Sequence, residues 1–194
     1  MGQVFRRTLL GAAGATLTAA VLARKPAAQT ILSPKPEPKV ELRGMDGLVL
    51  TDPPVTPSAQ SFTDAEGHKL SLADFAGKGV VLNFWATWCM PCVAEMPALD
   101  AMAGKLAAEG IVVLPLSSDR GGLKTVQRFY AAHEIAHLGL YLDPYGAAAE
   151  GWGARGLPTS LIIDRQGRER ARLEGGADWT SDAAIAALRK LTAA

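Results

Sequence analysis

The sequence predicts a mixed α/β domain, a central mixed β-sheet flanked by helices with an added N-terminal β-hairpin. Three observations carry that class. Two short apolar runs, Gly79–Trp85 and Ile111–Ser117, suit strands buried on both faces. Helix-forming stretches alternate with them, which implies a βαβ crossover. Two further pairs of short runs, each broken by a polar turn, read as hairpins.

Composition sets the outer bounds. A chain of 194 residues holds one domain with room for an extra segment. Hydrophobic residues make up 48% and charged residues 20%, enough apolar surface for a core and too little charge for a disordered chain. The formal net charge of +1 leaves no basic excess, so nucleic acid is not an expected partner. Two cysteines exclude a disulfide-rich scaffold and a four-cysteine zinc site.

In chain order, residues 1–30 read as an export signal or N-terminal anchor. Arg6 and Arg7 precede Leu9-Leu10, and no side chain from Thr8 to Ala23 is charged. The run from Arg6 to Leu10 resembles a twin-arginine signal, although Pro26 would occupy the −3 position of a cleavage after Ala28. As an anchor, the uncharged run would span about 24 Å of the ~30 Å hydrocarbon core. Residues 31–58 read as a linker: Pro34, Pro36 and Pro38 alternate, and Pro53, Pro54 and Pro57 follow. The folded domain, residues 59–194, is expected to begin near Ala59.

Ser61–Thr63 and Lys69–Leu72 flank a turn and form the first hairpin. Val93–Glu109 is rich in Ala, Leu, Met and Glu, and Gly110 ends it as a helix. Pro115 is out of character for the strand Ile111–Ser117. Leu123–Ile135 is read as a helix, Leu140–Leu142 as a short strand, and Thr159–Asp164 with Glu169–Glu174 as a hairpin. Ser181-Asp182 caps a last helix ending near Leu191.

Trp88-Cys89-Met90-Pro91-Cys92 follows a buried strand and opens a helix. Thiols at that spacing close a small ring, and the helix N-terminus favours a thiolate on the first of them. Cys92, one turn inside, is better placed to resolve a mixed disulfide than to start one. Zinc would need a second ligand pair, and so small a ring gains little from static cross-linking. The strand–CxxC–helix context favours redox chemistry over a metal site or a static disulfide.

Asn83-Phe84-Trp85-Ala86-Thr87-Trp88-Cys89-Met90-Pro91-Cys92 resembles the active-site block of thioredoxin-fold proteins, in particular the exported TlpA/ResA-like disulfide reductases. Gly153–Thr159 resembles that fold's second signature, in which a cis-proline faces the cysteines. Phe75–Lys78, Glu95-Met96-Pro97 and Gly176–Trp179 fit the same branch, the last resembling TlpA. The resemblance implies a thioredoxin-like fold over about residues 60–192. It makes Cys89 the attacking thiolate, Cys92 the resolving thiol and Pro158 the cis-proline. Trp88 and Leu157 would bind substrate, Leu157 through its backbone. Pro97 matches the proline that kinks the active-site helix. Thioredoxin itself carries a buried aspartate where this chain has Asn83, so Glu95 inherits proton transfer; otherwise it is an exposed first-turn Glu at the helix dipole.

His133-Glu134-Ile135-Ala136-His137 matches the zinc-protease pattern HExxH. The pattern needs a helix through both histidines, whereas Gly139 and the strand after it end any helix there, so no metal site is expected. Peroxidase chemistry is also set aside, because Ala86 stands where that motif requires Thr or Ser. The expectation is an exported, periplasmic thiol–disulfide oxidoreductase, monomeric, soluble or tethered through its N-terminus. It would act on protein disulfides in cytochrome c or cytochrome oxidase copper-site assembly and be recharged by a membrane thiol-transfer protein. No cofactor beyond the cysteine pair is expected. The alternative is a Cu(I) carrier using the two thiolates, with Met90 or Met96 adding a thioether.

Overall fold

A computed structural model describes Leu42 and residues 44–193. The stretch read as an export signal or anchor, and residues 31–41 and 43 of the stretch read as linker, therefore lie outside the described residues. In chain order the strands are β1 (Leu48–Val55), β2 (Phe62–Asp64), β3 (Lys69–Leu70) and β4 (Gly79–Trp85), and α1 (Met90–Leu106) follows. Then come β5 (Ile111–Ser117), α2 (Gly122–Ala132), β6 (Tyr141–Leu142) and α3 (Ala147–Gly151). The chain closes with β7 (Thr159–Ile163), β8 (Glu169–Glu174) and α4 (Asp182–Thr192).

Among the described residues the strands form one sheet in the order β1-β8-β7-β4-β5-β6-β2-β3. β4 runs parallel to β5 and antiparallel to β7, so the sheet is mixed as the sequence predicts. Alternation along β4 sorts its side chains onto two faces. Val81 and Trp85 face the larger apolar cluster, with Cys92, Met96 and Leu99 of α1, Phe129 of α2 and Leu188 of α4. Val80, Leu82 and Phe84 face the other, with Phe62 and Trp152 and with Ala148 and Ala149 of α3. Asn83 shares the parity of Val81 and Trp85 and so points at α1.

Three sequence expectations shift. The domain does not wait until Ala59: β1, inside the stretch read as linker, pairs antiparallel with β8 through Leu48–Leu50 and Val55. Prolines are tolerated there because β1 is an edge strand, and the Asp52–Pro53 bond is cis. Pro115 also has a place, since the outer neighbour β6 pairs only with Leu116 and Ser117 and leaves that flank of β5 open. α2 stops at Ala132, three residues before Ile135.

That early stop disposes of HExxH. His133 caps α2 and stacks on Phe129, with ring centroids 4.1 Å apart. Glu134 takes a left-handed φ of 54°. Asp100 Oδ1 then accepts the backbone N–H of Ala136, His137 and Leu138 at 3.1, 2.6 and 2.9 Å. The two histidines share no helical face. His68, at the β2–β3 turn, sits 2.9 Å from Asp64 instead.

Candidate active site

β4 delivers the chain to the sheet's carboxyl edge, where Ala86–Trp88 turn into α1. Cys89 is the N-cap of that helix, in extended conformation, and its Sγ accepts the Cys92 N–H at 3.3 Å. A disulfide joins Cys89 and Cys92, with Cα atoms 5.2 Å apart. Cys89 is 6% exposed and Cys92 fully enclosed, the asymmetry expected of an attacking and a resolving sulfur. Pro91 falls in the first turn, where its missing N–H leaves no helical bond unmade.

The turn ahead of the cysteines is held by a residue the sequence reading did not single out. Buried Asp119, just beyond β5, accepts the Thr87 N–H at 2.9 Å and the Thr87 hydroxyl at 2.7 Å. The Ser117 hydroxyl donates to the same carboxylate at 2.8 Å. Charge-assisted bonds of this kind are stronger than neutral ones, so the approach to Trp88 and Cys89 is fixed from behind.

Glu95 lies one turn after Cys92 on the same face of α1 and is fully buried, not exposed. Asn83 Nδ2 donates to its Oε1 at 2.9 Å. The Ala177 N–H and the Trp179 indole N–H both donate to Oε2, each at 2.9 Å. Burial is the larger influence and the three donors oppose it, so the carboxyl is pushed up to about 7. A group titrating there can take and return a proton near neutral pH.

The far wall is the loop before β7. The Leu157–Pro158 bond is cis, as the resemblance implies; Pro158 is buried and Leu157 half-buried. Arg172 ties this loop to the sheet, donating to the carbonyls of Trp152 and Gly153 at 3.0 Å while pairing with Glu169. The Gly175 N–H donates to the Pro158 carbonyl at 2.8 Å, which links the proline to the segment carrying Ala177 and Trp179. Trp88 stands 68% exposed beside the cysteines. Met90 is half exposed at the rim and Met96 fully enclosed in the core, which leaves only Met90 open to an incoming ion.

Cys89, Cys92 and Glu95 thus form one group, with Pro158 and Leu157 in the loop that Gly175 ties to Glu95's partners. Asn83, Ala177 and Trp179 were missed as partners of Glu95. Their signals were a lone amide in an apolar strand and an indole without an assigned role in Gly176–Trp179.

Four similarities to known proteins bear on this geometry. The AhpC/TSA family matches residues 55–171. The thiol-disulfide oxidoreductase ResA of Bacillus thuringiensis subsp. konkukian is 35% identical over 130 residues, covering 67% of this chain and 73% of that protein. The exposed lipoprotein thioredoxin of Streptococcus pneumoniae superposes with a TM-score of 0.55 at 29% identity, covering 69% of this chain and 100% of that one. A secreted thiol-disulfide isomerase from Corynebacterium glutamicum shares the fold, with a TM-score of 0.63 at 23% identity over 79% of this chain and 98% of its own.

Proposed function

This chain belongs to the AhpC/TSA family and to its ResA-like thiol–disulfide oxidoreductases, and from that membership we propose that it works as a reductant of protein disulfides outside the cytoplasm. The observation that supports this most is a cysteine pair of unequal exposure at a helix N-terminus, with a buried carboxyl one turn behind it. The Cys89 thiolate attacks a client disulfide, forming a Cys89–client bond and releasing one client thiolate. Cys92 loses its proton to Glu95 and attacks Cys89 Sγ, releasing the second client thiolate. The client gains two electrons and two protons, one passed on from Glu95 and one from water, and Cys89–Cys92 is left oxidised. A membrane thiol-transfer protein restores the dithiol.

On the family's pattern Trp88, Leu157 and Pro158 flank the reacting sulfur, and the backbone of Leu157 takes the client in extended form. The client classes are apocytochrome c and the copper-site cysteines of cytochrome oxidase assembly. Arg6-Arg7 sends the chain to the periplasm, where it is soluble or tethered by its N-terminus. The test is a trap: a Cys92→Ala variant incubated with periplasmic extract should accumulate mixed disulfides on Cys89, identified by mass spectrometry. Absence of any trapped protein, together with no insulin reduction by the wild type, would overturn the reading.

The Cu(I)-carrier alternative draws on Met90, half exposed next to Cys89. Titrating reduced protein with Cu(I) against a competing chelator separates the two. A carrier holds the ion against the chelator; a reductase surrenders it.

A further inference from the structure

A cleft of about 370 Å³ opens between Trp88 and the loop before β7. Trp88, the neighbour of Cys89, and Leu157, the neighbour of Pro158, form its inner wall, and Arg120, Tyr145, Glu150 and Arg155 lie around the rest. Arg120 and Arg155 are exposed, and neither has a carboxylate within 4.0 Å among the described residues. Glu150 offsets one of the two charges, leaving the cleft net positive.

Tyr145 is built into this position rather than left there. Its φ of 76° is unusual for a bulky residue, which persists only where the surroundings impose it. Buried Asp143 does so: its carbonyl accepts the Gly146 N–H at 2.8 Å, and its carboxylate accepts the N–H groups of Ala148 and Ala149 at 2.9 Å. The turn holds an aromatic ring 77% exposed, with the Arg120 guanidinium 5.7 Å from its centroid. That stacking steers Arg120 without using any of its N–H donors.

We infer that this cleft selects clients whose reacting cysteine is flanked by acidic residues, Arg120 and Arg155 taking the carboxylates and Tyr145 with Trp88 taking the adjoining side chain. The inference rests on the oxidoreductase reading and names its substrate class. Guanidinium groups hold carboxylates in fixed bidentate geometry, and partial shelter by two aromatic rings strengthens such pairs over fully exposed ones.

The test uses three disulfide-closed peptides that differ only at the two residues flanking one cysteine: Asp-Asp, Ser-Ser or Lys-Lys. Second-order rates of reduction by the full protein are measured at low ionic strength. Each is divided by the rate with dithiothreitol, which removes intrinsic differences in disulfide reactivity. The acidic peptide should react about three- to tenfold faster than the basic one, with the neutral peptide between. Raising the salt to shorten the Debye length from about 30 Å to about 8 Å should shrink the ratio. Arg120→Gln combined with Arg155→Gln should bring it near one, and Glu150→Gln should raise it. Lys78→Gln with Lys190→Gln removes the same charge from the opposite end of β4 and should leave the ratio in place. Equal normalised rates, or a ratio that survives loss of both arginines, overturns the inference while the oxidoreductase reading stands. Failure to reduce any peptide, or insulin, overturns both.

Discussion

Glu95 is held between burial, which disfavours its charge, and three hydrogen-bond donors, which favour it. With its carboxyl pushed up to about 7 in the folded chain, the native state binds a proton that the unfolded chain has already lost. The stability so gained is fully present below about pH 4.5 and is lost as pH rises through 7. Glu95→Gln should abolish that dependence, which chemical denaturation of the oxidised protein, where neither cysteine titrates, would read. The wild type's advantage over the variant should shrink by about 3 kcal/mol between pH 4.5 and 8; a constant difference would count against the assignment. The Gln amide is accommodated by an Asn83 flip, which gives up the Nδ2 bond to Ser160 Oγ and turns the unpartnered Oδ1 toward the new N–H. In the reduced enzyme the same variant should lower the apparent Cys89 pKa and slow resolution, seen in alkylation and insulin-reduction rates against pH. Brief iodoacetamide treatment should label Cys89 before Cys92, since Cys89 alone combines the N-cap position with some exposure. The cysteines and Glu95 were legible because spacing and motif name them. The donors around Glu95 were not, because Ala177 contributes a backbone N–H and Trp179 an indole that reads equally well as core.

At the scale of elements, Asp100 joins α1 to the segment between α2 and β6 by accepting three successive N–H groups. Asp100→Ala should cost about 1–3 kcal/mol, because water can replace the bonds at exposed Ala136 and His137 but not at buried Leu138. A thermal melt should show a Tm lower by about 3–10 °C. Replacing His133 and His137 with Ala, by contrast, should leave any response of Tm to zinc as it is in the wild type, since His133 and His137 share no helical face; a zinc-dependent rise that these substitutions abolish would restore the metal reading. Strand and helix identities were legible from periodicity, and β4, β5 and the β7–β8 hairpin fall where apolar runs place them. The end of α2 was not, because Ile135 prolongs the apolar rhythm while its N–H reaches back to Tyr130 in a wider, terminating turn. β1 was hidden by its prolines: a strand needs partners, and β8 lies more than a hundred residues further along the chain.

For the whole chain, replacing both Arg6 and Arg7 with Lys should retain the protein in the cytoplasm if export is by the twin-arginine route, as fractionation would show. Unchanged delivery would point to another route or a plain anchor. A chain starting at residue 42 should keep its disulfide-reducing activity. One starting at residue 59 should melt earlier, because Leu48 packs on the main core and β1 covers β8. Equal melting of the two would mean that β1 adds nothing. The proline pair that obscures β1 in the sequence has a consequence of its own. An open sheet has two margins, and each is a template on which a second chain can grow a cross-β stack. Here one margin is β1, where Pro53 and Pro54 offer no amide hydrogen, and the other is β3, only two residues long. Neither margin presents the unbroken row of donors and acceptors that fibril growth requires, even though Val49, Leu50 and Val55 leave apolar side chains exposed along β1.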